Sequence, residues 1–245
     1  MLCKNCERTV QESFCSHCGQ KTSTGRLDFN QLASDVRNNV LQIEKGFIYT
    51  IIQLFSRPGK TIRAYIEGRR KPYHSPIMFV IILAAVYGLT AHAVGTNTIL
   101  EDFFDGWYEG VGKEQSYGQV LLWISANYQY GSLMLIPVLS LASYIAYQHS
   151  EYNYFEHFVL NAYITGIRTL IYIPLTIGKS IYNPYHVFDD LILLTAIGTN
   201  IWVYVRFFNG KTVLGHIGSL TAFIVLAFIF LFISLILLGI GSTNW

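Results

Sequence analysis

Cys3, Cys6, Cys15 and Cys18 supply every thiol of the chain, in the pattern C-x2-C-x8-C-x2-C. The residues around them are polar and carry no apolar signal segment, so the N-terminus is expected to stay in the cytosol, where disulfides are rare. Two short thiolate knuckles joined by a brief connection suit tetrahedral Zn2+. Rubredoxin-like iron and a redox dithiol are the alternatives. Gly19 follows Cys18 where a tight knuckle calls for positive φ, whereas Glu7 holds that place after Cys6. So small a unit has no useful core, and the metal would supply most of its folding free energy. Four thiolates close the site, which makes His17 a redundant ligand. A closed site is a staple or a docking surface, not a catalyst.

The rest of the chain must position this head. Hydrophobic residues make up 52% and charged residues 13%, against about 25% charged in a soluble domain. Twelve of the 17 Lys and Arg lie in residues 1–74. The net charge of +2 therefore describes a basic head on a nearly neutral body. The expected fold is an all-α membrane protein: a bundle of about five transmembrane helices, preceded by amphipathic interfacial helices and a minimal zinc ribbon. The divisions are 1–25 for the ribbon, 26–74 for the juxtamembrane helices and 75–245 for the bundle.

In the juxtamembrane part, Asp28 and Gln31 form a capping-box pattern. Leu32, Val36, Val40, Ile43 and Phe47 then recur on one helical face. Residues 46–55 are apolar but too short to span a bilayer. Ser56 is expected to cap a helix with Pro58 in its first turn. Arg57, Lys60, Arg63, Arg69, Arg70 and Lys71, opposed by Glu67 alone, form a basic cluster before the first long apolar run. Such a cluster holds its flank on the cytoplasmic side and attracts anionic headgroups of the inner leaflet. Nucleic acid is disfavoured because the cluster lies against the bilayer.

Spans of about 20 apolar residues are expected near 76–95, 130–148, 155–177, 188–208 and 213–240, with an interfacial helix at 119–128. Loop 96–118 holds Glu101, Asp102, Asp105, Glu109 and Glu114 against Lys113, as an external loop would. Arg206 and Lys211 flank an internal turn, and Lys179 alone falls outside. The bias indicates five spans with the N-terminus inside and the C-terminus outside.

Ionisable groups within spans are candidate functional sites. His157, Asn161 and Arg168 share a stripe of the third span, with Tyr172 beside them. Asp189 and Asp190 open the fourth span near the same outer side as Arg168, which is expected to pair with one of them. That cluster reads either as a structural ion pair or as a polar path or headgroup site. Glu156 is expected to snorkel to the interface, and His157 to be hydrogen-bonded. His92, Asn200 and His216 are lone polar residues expected to be satisfied by neighbouring helices. No phosphate loop, zinc-protease motif, nucleophile elbow or dinucleotide fingerprint occurs, and no thiol is left for a membrane thiol enzyme.

This order of features resembles an uncharacterised bacterial family of zinc-ribbon membrane proteins of unknown function. The resemblance rests on Cys15-Ser16-His17-Cys18-Gly19-Gln20-Lys21 and on Pro58, Gly59, Ile62, Tyr65, Ile66, Gly68, Arg70, Tyr73 and Pro76. The third-span stretch YNYFEHFVLNAY is also similar. The resemblance covers residues 1–80 best. It implies the ribbon-plus-bundle architecture and the inner membrane of a Gram-negative bacterium, and no activity.

Three functions fit. One is a non-enzymatic scaffold or regulator whose ribbon, held by structural zinc, docks a protein partner. Another is a transporter or channel with Arg168, Asp189 and Asp190 on its path. The last is a lipid-modifying enzyme using His157. The transporter or channel reading admits a homo-oligomer.

Overall fold

The computed structural model describes residues 1–22, 24–33, 46–102, 105–106, 123, 127–182, 187–208, 217–226, 228–230 and 233. Six helices carry the architecture: α1 (Gly46–Ser56), α2 (Pro58–Ile66), α3 (Pro76–Val94), α4 (Tyr128–Ala146), α5 (Tyr154–Ile181) and α6 (Val187–Phe207). Among the described residues, β-pairing is limited to two isolated antiparallel bridges, Leu2 with Thr9 and Phe14 with Lys21. The described residues are therefore all-α apart from the ribbon.

Among the described residues three helices are long and apolar enough to cross a membrane: α3, α5 and α6. They match three of the expected spans closely. The apolar part of α4, Tyr130–Ala146, and Ile217–Phe230 are shorter. Half of the expected fifth span, 213–240, lies outside the described residues, as do 34–45 of the amphipathic stretch and most of 119–128.

Helix α5 is the axis of the bundle. It packs on α3, α4 and α6, and it buries Val159, Leu160, Ala162, Tyr163, Ile164 and Ile167 almost completely. Its 28 residues rise about 42 Å, more than the roughly 30 Å hydrocarbon core of a bilayer. The helix is therefore longer than an untilted span requires. The helices alternate in direction. The start of α3, the end of α4, the start of α5 and the end of α6 gather at the ribbon end. Asp102, Lys179 and Asp189 meet at the other.

Helices α1 and α2 brace the ribbon end. Helix α2 begins with Pro58 and buries Ile62, Tyr65 and Ile66. Ser56 does not cap it: the Ser56 hydroxyl donates back to Ile52 O at 2.7 Å, and the N-cap is Arg57, with no side-chain hydrogen bond. Ser56 thus closes the helix before it rather than opening the next. At Gly59 the α2 backbone runs directly against the end of α6. A Cβ there would overlap the Arg206 carbonyl and lie 2.9 Å from Phe207 N. Arg63, one turn on, donates to Arg206 O at 3.0 Å and Phe207 O at 2.6 Å, capping carbonyls that α6 leaves free. Arg63 thus serves as an internal clamp.

Candidate metal centre and its attachment to the bundle

Each cysteine pair forms the same turn. The backbone N–H of Glu7 donates to Cys3 O and that of Cys3 to Arg8 O; Gly19 donates to Cys15 O and Cys15 to Gln20 O. Glu7 (φ 61°) and Gly19 (φ 72°) occupy equivalent left-handed positions. Glycine relieves the Cβ strain of that conformation in the second knuckle, and the first knuckle tolerates it. The two turns bring all four Sγ atoms within 4.8 Å of one another. Cys3 and Cys18 lie 3.6 Å apart, and Cys6 and Cys15 3.5 Å. A tetrahedron of sulfurs at about 2.3 Å from Zn2+ has edges of about 3.8 Å, so the set fits a four-thiolate ion. The separations are far too long for disulfides, and all four thiols are free.

The sulfurs also share charge unevenly. At Cys18 burial opposes ionisation, yet hydrogen bonds from the Asn5 side chain, the Gln20 backbone, Cys3 and Cys15 outweigh it and lower the thiol to about 6. At Cys6 a hydrogen bond from the Arg8 backbone favours the thiolate. Burial and the other three cysteines push the other way and raise the thiol to about 12. Cys15 is lowered as well, chiefly by the backbone N–H of Cys18, so two thiols ionise readily while Cys6 resists, a crowding of charge that a divalent cation relieves. A bound ion would be held by Cys3, Cys6, Cys15 and Cys18 and would serve structure. His17 is exposed and outside the set.

Gln20, directly after the second knuckle, fastens the ribbon to the bundle. Its buried side chain donates from Nε2 to Gly68 O at 2.8 Å. Its Oε1 accepts from the backbone N–H groups of Arg70 and Lys71, both at 3.1 Å. All three partners lie in the loop between α2 and α3. Arg69 adds a 3.2 Å ion pair with Glu7, Lys4 donates to Thr24 O at 2.5 Å, and Arg70 donates to Gly25 O at 3.1 Å. Arg63, Arg69 and Arg70 thus have internal partners, whereas Arg57, Lys60 and Lys71 are exposed at the same end.

A strap from residues 24–28 then crosses the start of α5. Asn153 caps α5 in a reciprocal capping box with Glu156 and donates to Leu27 O at 3.1 Å. Glu156 does not snorkel. It is buried and takes two 3.1 Å hydrogen bonds from Arg26, which also bonds Glu151 O. The sequence contains the N-x-x-E capping pattern but gives no sign that Arg26 is the partner.

One turn inside α5, His157 enters a buried polar network. His157 Nδ1 lies 2.9 Å from Ser143 Oγ on α4. Asn161 donates to that oxygen at 2.9 Å and accepts from Tyr204 of α6 at 2.9 Å. His157 and Asn161 therefore share one network, together with Ser143 and Tyr204, which the sequence did not single out. The His157 ring is flanked by Tyr144 and Phe208 and is almost wholly buried. The network ties three helices together in a sealed setting.

Arg168 does not pair with Asp189 or Asp190. Asp189 lies 2.9 Å from Lys179, which also holds Asp102 at 2.6 Å, and Asp190 is exposed. Lys179 thus finds its counter-charges at the end of the bundle remote from the ribbon. A cavity of about 680 Å³ between α3 and α4, bordered by Ala85, His92, Glu101, Tyr128 and Leu133, is lined by neither Arg168 nor His157.

No curated protein and no solved structure matches the chain. One family model matches part of it. Residues 44–88, which hold α1, α2, the Gln20-binding loop and the first two thirds of α3, match the family described as protein of unknown function (DUF3667).

Proposed function

We propose that this protein is a non-enzymatic scaffold or regulator of the bacterial inner membrane. Its zinc ribbon sits in the cytoplasm as a docking platform for a protein partner, and its C-terminus lies outside. The observation that carries this reading is the attachment of the ribbon: the Gln20 clamp fixes a small metal-binding head to the membrane bundle. On that head Met1, Leu2 and Phe14 stand exposed. Leu2 and Phe14 each precede the first cysteine of a knuckle. A 20-residue head that presents such apolar groups while held rigid suits recognition of another protein. Exposed Arg57, Lys60 and Lys71 would meet anionic headgroups of the inner leaflet. The sealing of His157 argues against the lipid-modifying alternative.

The test places a photo-crosslinking phenylalanine analogue at position 14 in cells. A crosslink to a cytoplasmic protein, lost in the Cys15→Ser background, is expected. Crosslinks confined to lipid, or unchanged in that background, would remove the docking reading.

A further inference from the structure

The cavity of about 680 Å³ between α3 and α4 arises from small residues on one helix face. Ile81, Ala85, Gly88 and His92 recur along α3 at helical spacing, and all four border it. Ala85 and Gly88 leave open the space that longer side chains would fill. Leu133 and Tyr128 face them from α4. Toward the ribbon the helices close again, where Val80 and Ile136 share a buried cluster with Ala162. Tyr128 packs on Tyr87 with ring centroids 4.5 Å apart, and the Tyr87 hydroxyl accepts from Ile99 N at 3.0 Å. The wall of the cavity and the loop above it are thus tied together. Leu89 and Tyr130 border the cavity and are exposed, so it opens sideways, where lipid surrounds a membrane bundle.

Its chemistry changes along its length. Ile81 and His92 are about 16 Å apart along α3, close to half of a hydrocarbon core of about 30 Å. That apolar run suits the acyl chain of one leaflet. The end remote from the ribbon is polar. Helix α3 stops at Gly95 (φ 67°), and Thr96, Thr98 and Glu101 of the next loop complete the border. Glu101 Oε2 accepts from Thr98 N at 2.6 Å, and its other oxygen has no partner among the described residues. Thr96 Oγ1 is shielded and also lacks a hydrogen bond. Lys179 neutralises Asp102, but no cation among the described residues pairs with Glu101 or with exposed Asp105. An anionic headgroup would meet unbalanced negative charge here. A primary ammonium brings positive charge and three N–H donors, which match a carboxylate and a hydroxyl. A trimethylammonium brings the charge without the donors. His92, exposed on the same border, has a ring N–H to offer the adjoining phosphate.

We propose that this cavity binds a phospholipid with a primary-amine headgroup, in the leaflet remote from the ribbon. The amine meets Glu101 and Thr96, and an acyl chain lies along Ile81, Ala85 and Leu133. The site goes beyond the docking role of the ribbon and stands or falls without it.

The test uses the full chain in phosphatidylcholine nanodiscs doped with phosphatidylethanolamine or, separately, with phosphatidylglycerol. Native mass spectrometry counts the dopant that stays on the protein. About one phosphatidylethanolamine per chain is expected, in preference to phosphatidylglycerol. Glu101→Gln keeps the contact to Thr98 and should weaken retention about tenfold or more, the size of a lost charged hydrogen bond. Ala85→Phe fills the floor and should abolish retention without lowering the melting temperature in phosphatidylcholine alone. Phosphatidylethanolamine with a photoreactive acyl chain should crosslink within residues 81–101 or 128–133, which locates the site without any variant. Equal retention of the two dopants would overturn the proposal. So would Glu101→Gln retaining lipid like wild type, or crosslinks that fall wholly outside those residues.

Discussion

Cys15→Ser is expected to empty the metal site and unfold the ribbon while leaving the transmembrane bundle intact. Purified wild-type protein should carry about one equivalent of zinc per chain, and the variant close to none. Apparent binding energies of structural zinc reach about 10–16 kcal/mol at neutral pH, far more than a ribbon with this small a core can replace. Val10 is the one buried hydrophobic residue packed with the cysteines. Limited proteolysis should therefore cut the variant within residues 1–22 and leave α3, α5 and α6 protected. The bundle survives because its core rests on Tyr163, Phe79, Ile167 and Tyr204, none of which needs the metal. Wild-type protein carrying less than about half an equivalent of any metal would contradict the four-thiolate reading.

Gly59→Ala is expected to pry α2 from the end of α6. The added Cβ meets backbone, the Arg206 carbonyl, rather than a side chain that could swing away. Overpacking against fixed atoms costs about 1–3 kcal/mol or more, and the shift would also pull Arg63 off the α6 carbonyls. Arg63→Gln removes those hydrogen bonds without the overlap and should be milder. A lower melting temperature for Gly59→Ala than for Arg63→Gln is the predicted order. Equal stability of Gly59→Ala and wild type would mean that this helix contact is looser than described. Glycine at this position is thus explained by a backbone approach, and it lies in the segment shared with the family of unknown function.

What could be read from the sequence was local. The two knuckles announce themselves because both cysteines of a pair, and the residue of positive φ, fall within five positions. Helices α3, α5 and α6 are legible because hydropathy is summed along a continuous stretch. The contacts that give the molecule its character join distant residues: Gln20 with Gly68 and Arg70, Arg26 with Glu156, Arg63 with Arg206. No spacing rule reaches that far. Arg168 shows the limit well. Arg168 and Lys179 project from the same side of α5, three turns and about 16 Å apart, so a helical wheel cannot choose between them as the partner of Asp189. Depth decides, and Lys179 is level with the start of α6 where Asp189 stands. Glu156 is buried for a similar reason, because its counter-ion comes from a strap 130 residues earlier in the chain.

The central claim is that metal binding by the four cysteines holds the ribbon on the bundle through Gln20. Hydrogen exchange on the full chain in nanodiscs, with and without a zinc chelator, tests it most directly. The backbone N–H groups of Arg70 and Lys71 are hydrogen-bonded by Gln20 and should be protected in the metal-loaded protein. Chelation should release that protection while the amides of Val159 to Ile167 in α5 stay slow. Unchanged exchange at Arg70 and Lys71 after the metal is removed would contradict the account.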